Sequence, residues 1–487
     1  MKKIKLLFTV LGVVLLASCE DFLDVKPSNS AAAETSITNI ADAKVAINGL
    51  MRKMTAADYY GRNFVIYGDA KGGDFAIRSQ GRGLDQFYSF NHSASSNSFS
   101  GFWSQIYHNI LQSNNLILNI ELIEEAGKGT VALSEHKGQA MTARALMYFD
   151  LVRLYGKPYN MDKTSYGVPL ILELLDASAQ PTRASVEEVY AQIMQDLTDA
   201  APLLSKTVLK GYLNYYANIA LQAKVNLYMG KYTEALAAAE EVITSNKYTL
   251  YSNANWVSSW SATFGSESIF ELAIYPSEAD LLTGSLGYYL LRQGRVTGAM
   301  GWFMASDYFL ARLGEDATDV RWGIMAYDET SATRFGSSLK YAGVDLKGDK
   351  GTASATNVKV IRLSEVHLIA AEAALNLPTP DKVKAAAYLN NIRKRAPALA
   401  PATDATVTMD MIMDEKSKEF FAEGHRFFDM MRLNRSIEFN DEFIYPAVII
   451  THRTKTIDRT FYRTILPISQ NELDANPAIA SQQNPQY

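Results

Sequence analysis

Apolar residues recur at three- and four-residue spacing over much of this chain, which is the pattern of amphipathic helices. Nine segments carry the pattern, and several of them are adjacent pairs. They are residues 43–54, 103–125, 133–155, 185–204, 215–229, 232–245, 363–376, 382–395 and 409–435. The chain is therefore predicted to be mainly α, with a helical scaffold.

Two of these pairs have small residues where two helices must approach closely. In residues 215–245, alanines at 217, 223, 235 and 239 recur at helical spacing, and Gly230 lies at the expected turn. Residues 363–395 repeat the arrangement, with alanines at 370, 371, 373 and 374. Each pair is similar to a tetratricopeptide unit, a helix hairpin of about 34 residues. A generic alanine-packed hairpin is the alternative interpretation.

Helical periodicity fails over two long stretches, residues 58–100 and 246–359. The first is rich in Gly, Ser, Asn and aromatic residues. Irregular segments of this length are uncommon inside a compact body unless they are functional. We therefore expect any binding site to be built from these two insertions.

Hydropathy changes abruptly at the N-terminus. Lysines at 2, 3 and 5 precede an apolar run over residues 6–16, and Leu16, Ala17 and Ser18 lead into Cys19, the single cysteine of the 487 residues. This order is typical of a bacterial lipoprotein leader, and the run is shorter than the roughly 20 residues that span a bilayer. We predict a signal peptide over 1–18, a lipidated Cys19 with a tether over 19–40, and one body over 41–487. The alternatives are an ordinary secretory signal with a chance cysteine and a short inner-membrane segment.

The charge balance narrows the classes of partner. The whole chain has a net charge of −5, and removal of the three leader lysines leaves 44 basic and 52 acidic residues, or −8. With no basic block to offset this balance, nucleic acid is not an expected partner. No second apolar segment follows the leader, so membrane contact is expected through the lipid anchor alone.

Catalytic and metal-binding motifs are missing from the sequence. There is no H-E-x-x-H, G-x-x-x-x-G-K-[ST] or G-x-S-x-G pattern, and the six histidines show no i, i+4 pair. Glu419, Glu423, His425, Arg426 and Asp429 crowd one short segment that resembles an acid/base site, but we interpret them as scaffold charges. We predict no catalytic residues, no metal and no cofactor. A pair of glycosidase carboxylates far apart in sequence stays open.

Residue types in the two insertions favour sugar recognition, because ring faces stack on sugar C–H groups while amides and guanidinium groups bind hydroxyls. In the first insertion the candidate ligand-binding residues are Arg78, Phe87, Tyr88 and Asn91. In the second they are Tyr288, Tyr289, Arg292, Trp302 and Phe303, with glycines between them. The alternative for each ring is packing of the loops onto the helices. Trp103 is assigned to the core because it opens a periodic helix.

Several blocks resemble the SusD/RagB family of outer-membrane lipoproteins. The opening C-x-x-F-L-D-x-x-P spans residues 19–27, and R-A-L-M-Y-F-D-L-V-R-L-Y-G spans 144–156. A third block of the family is similar to Arg362 with E-V at 365–366 and A-A-E-A at 370–373. A fourth is similar to E-G-H-R-F-F-D at 423–429. A closing segment over 466–487 also matches, with Ser469 and Gln486 departing from the usual proline and glycine.

The resemblance implies a SusD-like fold and a function. It implies a glycan-binding lipoprotein that delivers oligosaccharide or polysaccharide to a SusC-like TonB-dependent transporter. Peptide binding of the RagB type is the alternative, and a surface hydrolase is a less favoured one. Glu20 and Asp21 resemble a surface-export signal, so the resemblance also implies a lipid-anchored protein on the outer face of the outer membrane.

Overall fold

The computed structural model describes residues 36–81, 84–95, 97–176, 178–275, 277, 284–291, 299–328, 331–342, 355–445, 447 and 449–487. The predicted leader, Cys19, most of the tether and Arg292 lie outside the described residues. No helix within the described ranges is long and apolar enough to cross a membrane.

Helices make up most of the regular structure. In the first half of the chain they are α1 (Ile40–Met54), α2 (Asn63–Ala70), α3 (Asp85–Ser89), α4 (Asn97–Glu125), α5 (Val131–Tyr155), α6 (Tyr159–Asp162), α7 (Val186–Ala200), α8 (Tyr215–Tyr228) and α9 (Tyr232–Thr244). In the second half they are α10 (Asn253–Trp256), α11 (Leu286–Leu290), α12 (Asp307–Leu313), α13 (Leu363–Leu375), α14 (Lys382–Arg393), α15 (Met409–Glu419), α16 (Arg426–Arg432) and α17 (Gln470–Ala475). The prediction of a mainly helical scaffold is confirmed.

Local sequence explains where these helices begin and end. Ser185 caps α7 in a full capping box with Glu188, and Thr130 caps α5 through the Leu133 amide. Gly230 adopts φ +74° between α8 and α9, a conformation that costs glycine little. The hairpin turn predicted at Gly230 is therefore confirmed.

One predicted helix is wrong. The pattern over residues 409–435 indicates a continuous helix, but α15 ends at Glu419 and α16 begins at Arg426. A Cβ on Gly68 would lie 2.1 Å from the Gly424 carbonyl oxygen, so the two backbones meet in direct contact. Asp69 Oδ2 accepts from the Gly424 amide at 2.7 Å. The chain leaves the helix here because α2 packs against its backbone.

Short two-stranded antiparallel sheets join the insertions to the scaffold. They are β1 (Phe75–Ile77) with β3 (Phe303–Ala305), β2 (Ser268–Leu272) with β6 (Val358–Arg362), β4 (Met325–Asp328) with β5 (Ser331–Ser338), and β7 (Ile437–Glu438) with β8 (Thr456–Ile457). The first pair links the two predicted insertions to each other. The second links the 246–359 insertion to the segment that opens α13.

A buried cluster of charges lies where the scaffold meets the insertions. Glu419 accepts from Arg395 and Arg362, each at 3.1 Å, and Glu267 bridges the same two guanidinium groups at 2.8 and 3.0 Å. All four side chains are buried. Burial alone would raise the pKa of Glu419, but Arg395, Arg362 and Arg321 hold it at about 2. The carboxylate is therefore charged at neutral pH.

Removing one charge from this cluster should destabilise the fold strongly. In Glu419→Gln the guanidinium groups stay buried with one fewer anion, which costs on the order of 3–5 kcal/mol of unfolding free energy. Urea denaturation at pH 7 measures the loss. Asp410→Asn is the control, because Asp410 pairs with Arg435 at 2.7 Å with both side chains exposed, and such pairs contribute about 1 kcal/mol or less. Equal losses in the two variants would contradict the prediction.

A buried histidine predicts a pH dependence. His367 lies on α13, and burial lowers its pKa to about 4, with Lys394 acting in the same direction. An unfolded histidine has a pKa of about 6.5. Between these values the unfolded chain binds more protons. This imidazole therefore makes the unfolding free energy fall as the pH drops from about 6.5 to about 4.

His367→Gln removes that contribution. The stability difference between wild type and His367→Gln should shrink by on the order of 2 kcal/mol between pH 7 and pH 4, measured by urea denaturation at both pH values. Val366→Ala, a buried non-titrating change on the same helix, should cost the same at both. A difference for His367→Gln that is constant with pH would show that the imidazole titrates alike in the folded and unfolded states.

Candidate functional site

The β1–β3 pair brings the two predicted insertions into one place. Its register joins Phe75 to Ala305 and Ile77 to Phe303. Beyond the last pair, the Arg78 amide donates to the Trp302 carbonyl at 3.3 Å, and the Tyr445 amide donates to the Arg78 carbonyl at 2.6 Å. Three distant parts of the sequence therefore meet at Arg78.

Helix α11 adds two further rings to this place. The Met300 amide donates to the Tyr288 carbonyl at 2.6 Å, which holds α11 against the segment before β3. The rings of Tyr288 and Tyr289 lie 5.4 Å apart at 68°, and the Arg62 guanidinium lies 5.0 Å from the Tyr289 ring. We name this surface the aromatic rim. It consists of Arg62, Arg78, Tyr288, Tyr289, Trp302 and Tyr445.

Exposure differs widely along the rim. Tyr445 is 75% exposed, whereas Tyr289 is 9% and Trp302 8% exposed. Tyr445 therefore offers a ring face, whereas Tyr289 and Trp302 are largely buried. Burial raises the pKa of the Tyr289 hydroxyl, which the Arg62 guanidinium opposes, so this hydroxyl is a neutral donor and acceptor at physiological pH. The Nε2 atom of Gln80, two residues after Arg78, is buried with no hydrogen-bond partner among the described residues.

The base of the rim is fixed to the scaffold. Ser306 donates to the backbone carbonyls of Gly73 and Asp74 through its hydroxyl and its amide, each at 2.8 Å. The Asp74 carboxylate accepts from Ser417 on α15 at 2.6 Å and from Arg312 on α12 at 3.0 Å. The β1–β3 pair therefore cannot move without breaking buried contacts to two helices.

Five of the sequence-predicted rings are buried core residues in this structure: Phe87, Tyr88, Tyr289, Trp302 and Phe303. Phe87 and Phe303 are buried, the first against Phe102 at 6.1 Å and the second against Phe75 at 6.2 Å. Tyr88 is buried as well, and its hydroxyl donates to Asp441 at 2.9 Å. The ring faces of these three residues are packed against protein, which corrects their assignment as ligand-stacking residues. Phe87 and Tyr88 lie on α3 and Phe303 on β3, and their rings attach these short elements to the rest of the core.

The other predicted residues divide into three groups. The aromatic rim brings together Arg78, Tyr288, Tyr289 and Trp302. Asn91 is exposed after α3, and no described contact joins it to the rim. Trp103 is buried as predicted, and its indole donates to Glu472 at 3.0 Å.

Sequence reasoning missed Arg62 and Tyr445. Arg62 lies inside the 58–100 insertion, but nothing in its neighbourhood in the sequence marks it as different from the other arginines. Tyr445 lies in a third irregular segment, residues 439–464, where aromatic density and failing periodicity offered the same signal as in the two recognised insertions. The rim is therefore built from three irregular segments and not from two.

The conspicuous charged block over 419–429 belongs to the interior. Glu423 accepts from Lys340 at 2.6 Å and from Arg362 at 2.8 Å, and Arg426 lies 3.6 Å from Asp74. Within the described ranges, no group of three His, Cys, Asp or Glu side chains is arranged to hold a metal ion. Fold and rim together define a class of protein: a helical-repeat scaffold whose candidate ligand surface lies on inserted segments.

Comparisons with known proteins agree with this class. A model described as the SusD family matches residues 325–487, and one described as starch-binding associating with outer membrane matches residues 21–227. A solved SusD superfamily protein of Bacteroides thetaiotaomicron superposes with a TM-score of 0.84 at 34% identity, over 92% of this chain and 100% of that one. The chain belongs to the SusD/RagB family.

Two further relatives extend the comparison. A solved putative sugar binding protein of Bacteroides vulgatus has a TM-score of 0.82 and 31% identity, over 93% of this chain and 100% of its own. A curated SusD-like protein of Formosa agariphila, designated P2, is 27% identical over 89% of this chain and 91% of its own length. Each of these similarities therefore covers most of this chain.

Proposed function

We propose that this protein is a non-enzymatic, surface glycan-binding lipoprotein that captures oligosaccharides or polysaccharides at the aromatic rim. The observation that carries the proposal is the exposed ring of Tyr445 next to Arg78, in one rim with the half-buried Tyr288 and the largely buried Tyr289 and Trp302. A ring face binds sugar C–H groups, and guanidinium and phenol groups bind sugar hydroxyls.

Two related proteins support a sugar as the ligand class. The Bacteroides vulgatus neighbour is described as a putative sugar binding protein. A laminarin binding SusD-like protein shares the fold, with a TM-score of 0.71 at 22% identity. The rim chemistry fits the same class, since it combines rings with hydroxyl-binding groups and has no carboxylate of its own.

Substitution of the most exposed ring tests the rim. Tyr445→Ala should weaken glycan binding by about 1 kcal/mol, or roughly fivefold in Kd, while the melting temperature stays near that of wild type because the side chain is exposed. Affinity electrophoresis in gels containing laminarin, starch or other soluble polysaccharides measures retention. Protein incubated with the retained polysaccharide should release no reducing sugar.

Tyr166→Ala is the matched control, because Tyr166 is a tyrosine 48% exposed that lies outside the rim. It should be retained like wild type. Equal retention of Tyr445→Ala and wild type, on a gel that retards the wild type, would contradict the proposal that the rim binds glycan. Binding of peptides with no binding of any glycan would identify the RagB-type alternative instead.

We further propose that a lipidated Cys19 holds the body at the outer leaflet, beside a SusC-like TonB-dependent barrel that takes over the ligand. The proposed tether over residues 19–40 has 22 residues and reaches at most roughly 75 Å, so the body stays near the membrane at high effective concentration toward a barrel. A binding scaffold without a pore requires such a partner for import.

Extraction of cells with mild detergent tests both parts of this arrangement. A C-terminally tagged wild-type protein should be recovered from the membrane fraction together with a TonB-dependent barrel, because two or more acyl chains give stable anchoring. Cys19→Ala should appear in soluble fractions without the barrel. Recovery of the wild type alone, from cells that express the neighbouring barrel, would contradict the transport complex. Membrane retention of Cys19→Ala would contradict the lipid anchor.

A further inference from the structure

A solvent-facing cavity lies outside the aromatic rim, between α1, the segment that leads into α8 and the segment around β2. It consists of two adjoining parts of about 390 and 190 Å³. Both parts are lined by Lys210, Gly211 and Phe264. We name the two parts together the basic groove. Its residues used below are Arg52, Lys210, Tyr212, Lys247, Phe264 and Tyr275.

The charge of the groove is opposite to that of the chain. Arg52, Lys210 and Lys247 line it, whereas the chain as a whole has a net charge of −5. Arg52 also donates to the Thr55 hydroxyl at 2.9 Å, which orients its guanidinium. Cations gathered in a cleft attract anions more strongly than the same cations spread over a surface.

The one carboxylate among the lining residues is occupied internally. Glu271 is 1% exposed. One of its oxygens accepts from the Phe264 amide at 3.0 Å and from Asn357 at 2.7 Å, and the other accepts from Ser268 at 2.7 Å. This carboxylate therefore does not compete for the lysines at the mouth of the groove.

Two of the three rings of the groove, those of Tyr212 and Phe264, belong to residues that hydrogen bonds hold in place. Tyr212 donates to Asn48 at 2.6 Å, and Tyr275 is 56% exposed. Phe264 adopts φ +51°, a left-handed conformation that is a genuine outlier for a bulky residue. Its bond to Glu271 fixes that conformation. A Cβ on Gly211, itself at φ +82°, would lie 3.4 Å from the Phe264 ring. The strained backbone places this ring between the two parts of the groove.

We propose that the basic groove is a second binding site, for an oligosaccharide segment that carries carboxylate or sulfate groups. Lysines bind such anions as point charges, and the Phe264 and Tyr275 rings bind the C–H faces of the sugar that carries them. The larger part lies within the roughly 300–1,000 Å³ of known small-molecule sites. The groove shares no residue with the aromatic rim, so the two sites can succeed or fail separately.

Three probes distinguish the sources of the negative charge: a sulfated galactan oligosaccharide, an oligogalacturonate and a neutral β-glucan oligosaccharide. Isothermal titration calorimetry at low and high salt should show tighter, salt-dependent binding of at least one charged probe. The double substitution Lys210→Gln with Lys247→Gln should weaken that binding about threefold to tenfold and reduce its salt dependence. Binding of the neutral probe should not change.

Lys44→Gln with Lys128→Gln is the control, because both lysines are exposed, neither lines the groove, and the net charge changes equally. This variant should bind like wild type. Failure of both charged probes to bind the wild type, or equal effects of the two double variants, would overturn the proposal.

Phe264→Asn distinguishes a role of the Phe264 ring in ligand binding from a role in the stability of the fold. Asparagine accepts a left-handed conformation more readily than phenylalanine, and the amide bond to Glu271 is kept. The melting temperature should therefore hold while the charged probe binds about fivefold more weakly. A fall in melting temperature with unchanged affinity would overturn the proposal. Tyr445→Ala should leave binding of the charged probe unchanged, so failure at the rim does not imitate failure at the groove.

Discussion

The structure depends above all on the buried charges around Glu419. This carboxylate and Glu267 share the guanidinium groups of Arg362 and Arg395, which come from the end of β6 and from the residues after α14. None of these side chains can be left unpaired, because an uncompensated buried charge costs several kcal/mol. Helix α15, the β2–β6 pair and the end of α14 must therefore assemble together. The fold can form only when these buried charges are paired. Their pairing holds the 246–359 insertion against the helical scaffold.

The candidate ligand surface depends on that constraint through α15. Ser417, two residues before Glu419, holds Asp74 at the start of β1, and Asp74 with Ser306 sets the β1–β3 pair. Arg78 and Trp302 follow directly at the open end of the pair. A few buried polar contacts therefore transmit the rigidity of a helical scaffold to residues on irregular segments. Affinity benefits, because less conformational freedom is left to lose when a ligand binds.

Periodicity in the sequence was enough to locate the scaffold. The observed ends of α5, α8 and α13 lie within a few residues of the predicted ones. The break after Glu419 was not predicted, because its cause is a backbone contact between Gly68 and Gly424, which are more than 350 residues apart. A glycine within a helical pattern was the only local sign.

The rim was predicted only in part, for a related reason. Residue type shows that a ring suits sugar binding, but burial decides whether its face is available. In segments with few ladder hydrogen bonds, rings are also the main source of attachment to the core. Phe87, Tyr88 and Phe303 serve that purpose, and Tyr445 does not, although nothing in their immediate sequence separates them.

The use of aromatic rings to attach inserted segments limits how many rings are left to bind sugar. Each aromatic side chain in an inserted segment can attach the segment or contact the ligand with its face, but rarely both. With most rings used for attachment, the rim has one exposed ring face, that of Tyr445, beside largely buried rings, so no single contact can supply a large share of the binding energy. Affinity for a glycan must then come from several weak contacts made at once. Repeating polymers suit such a surface, because neighbouring sugar units present the same groups again and raise the effective concentration at each contact.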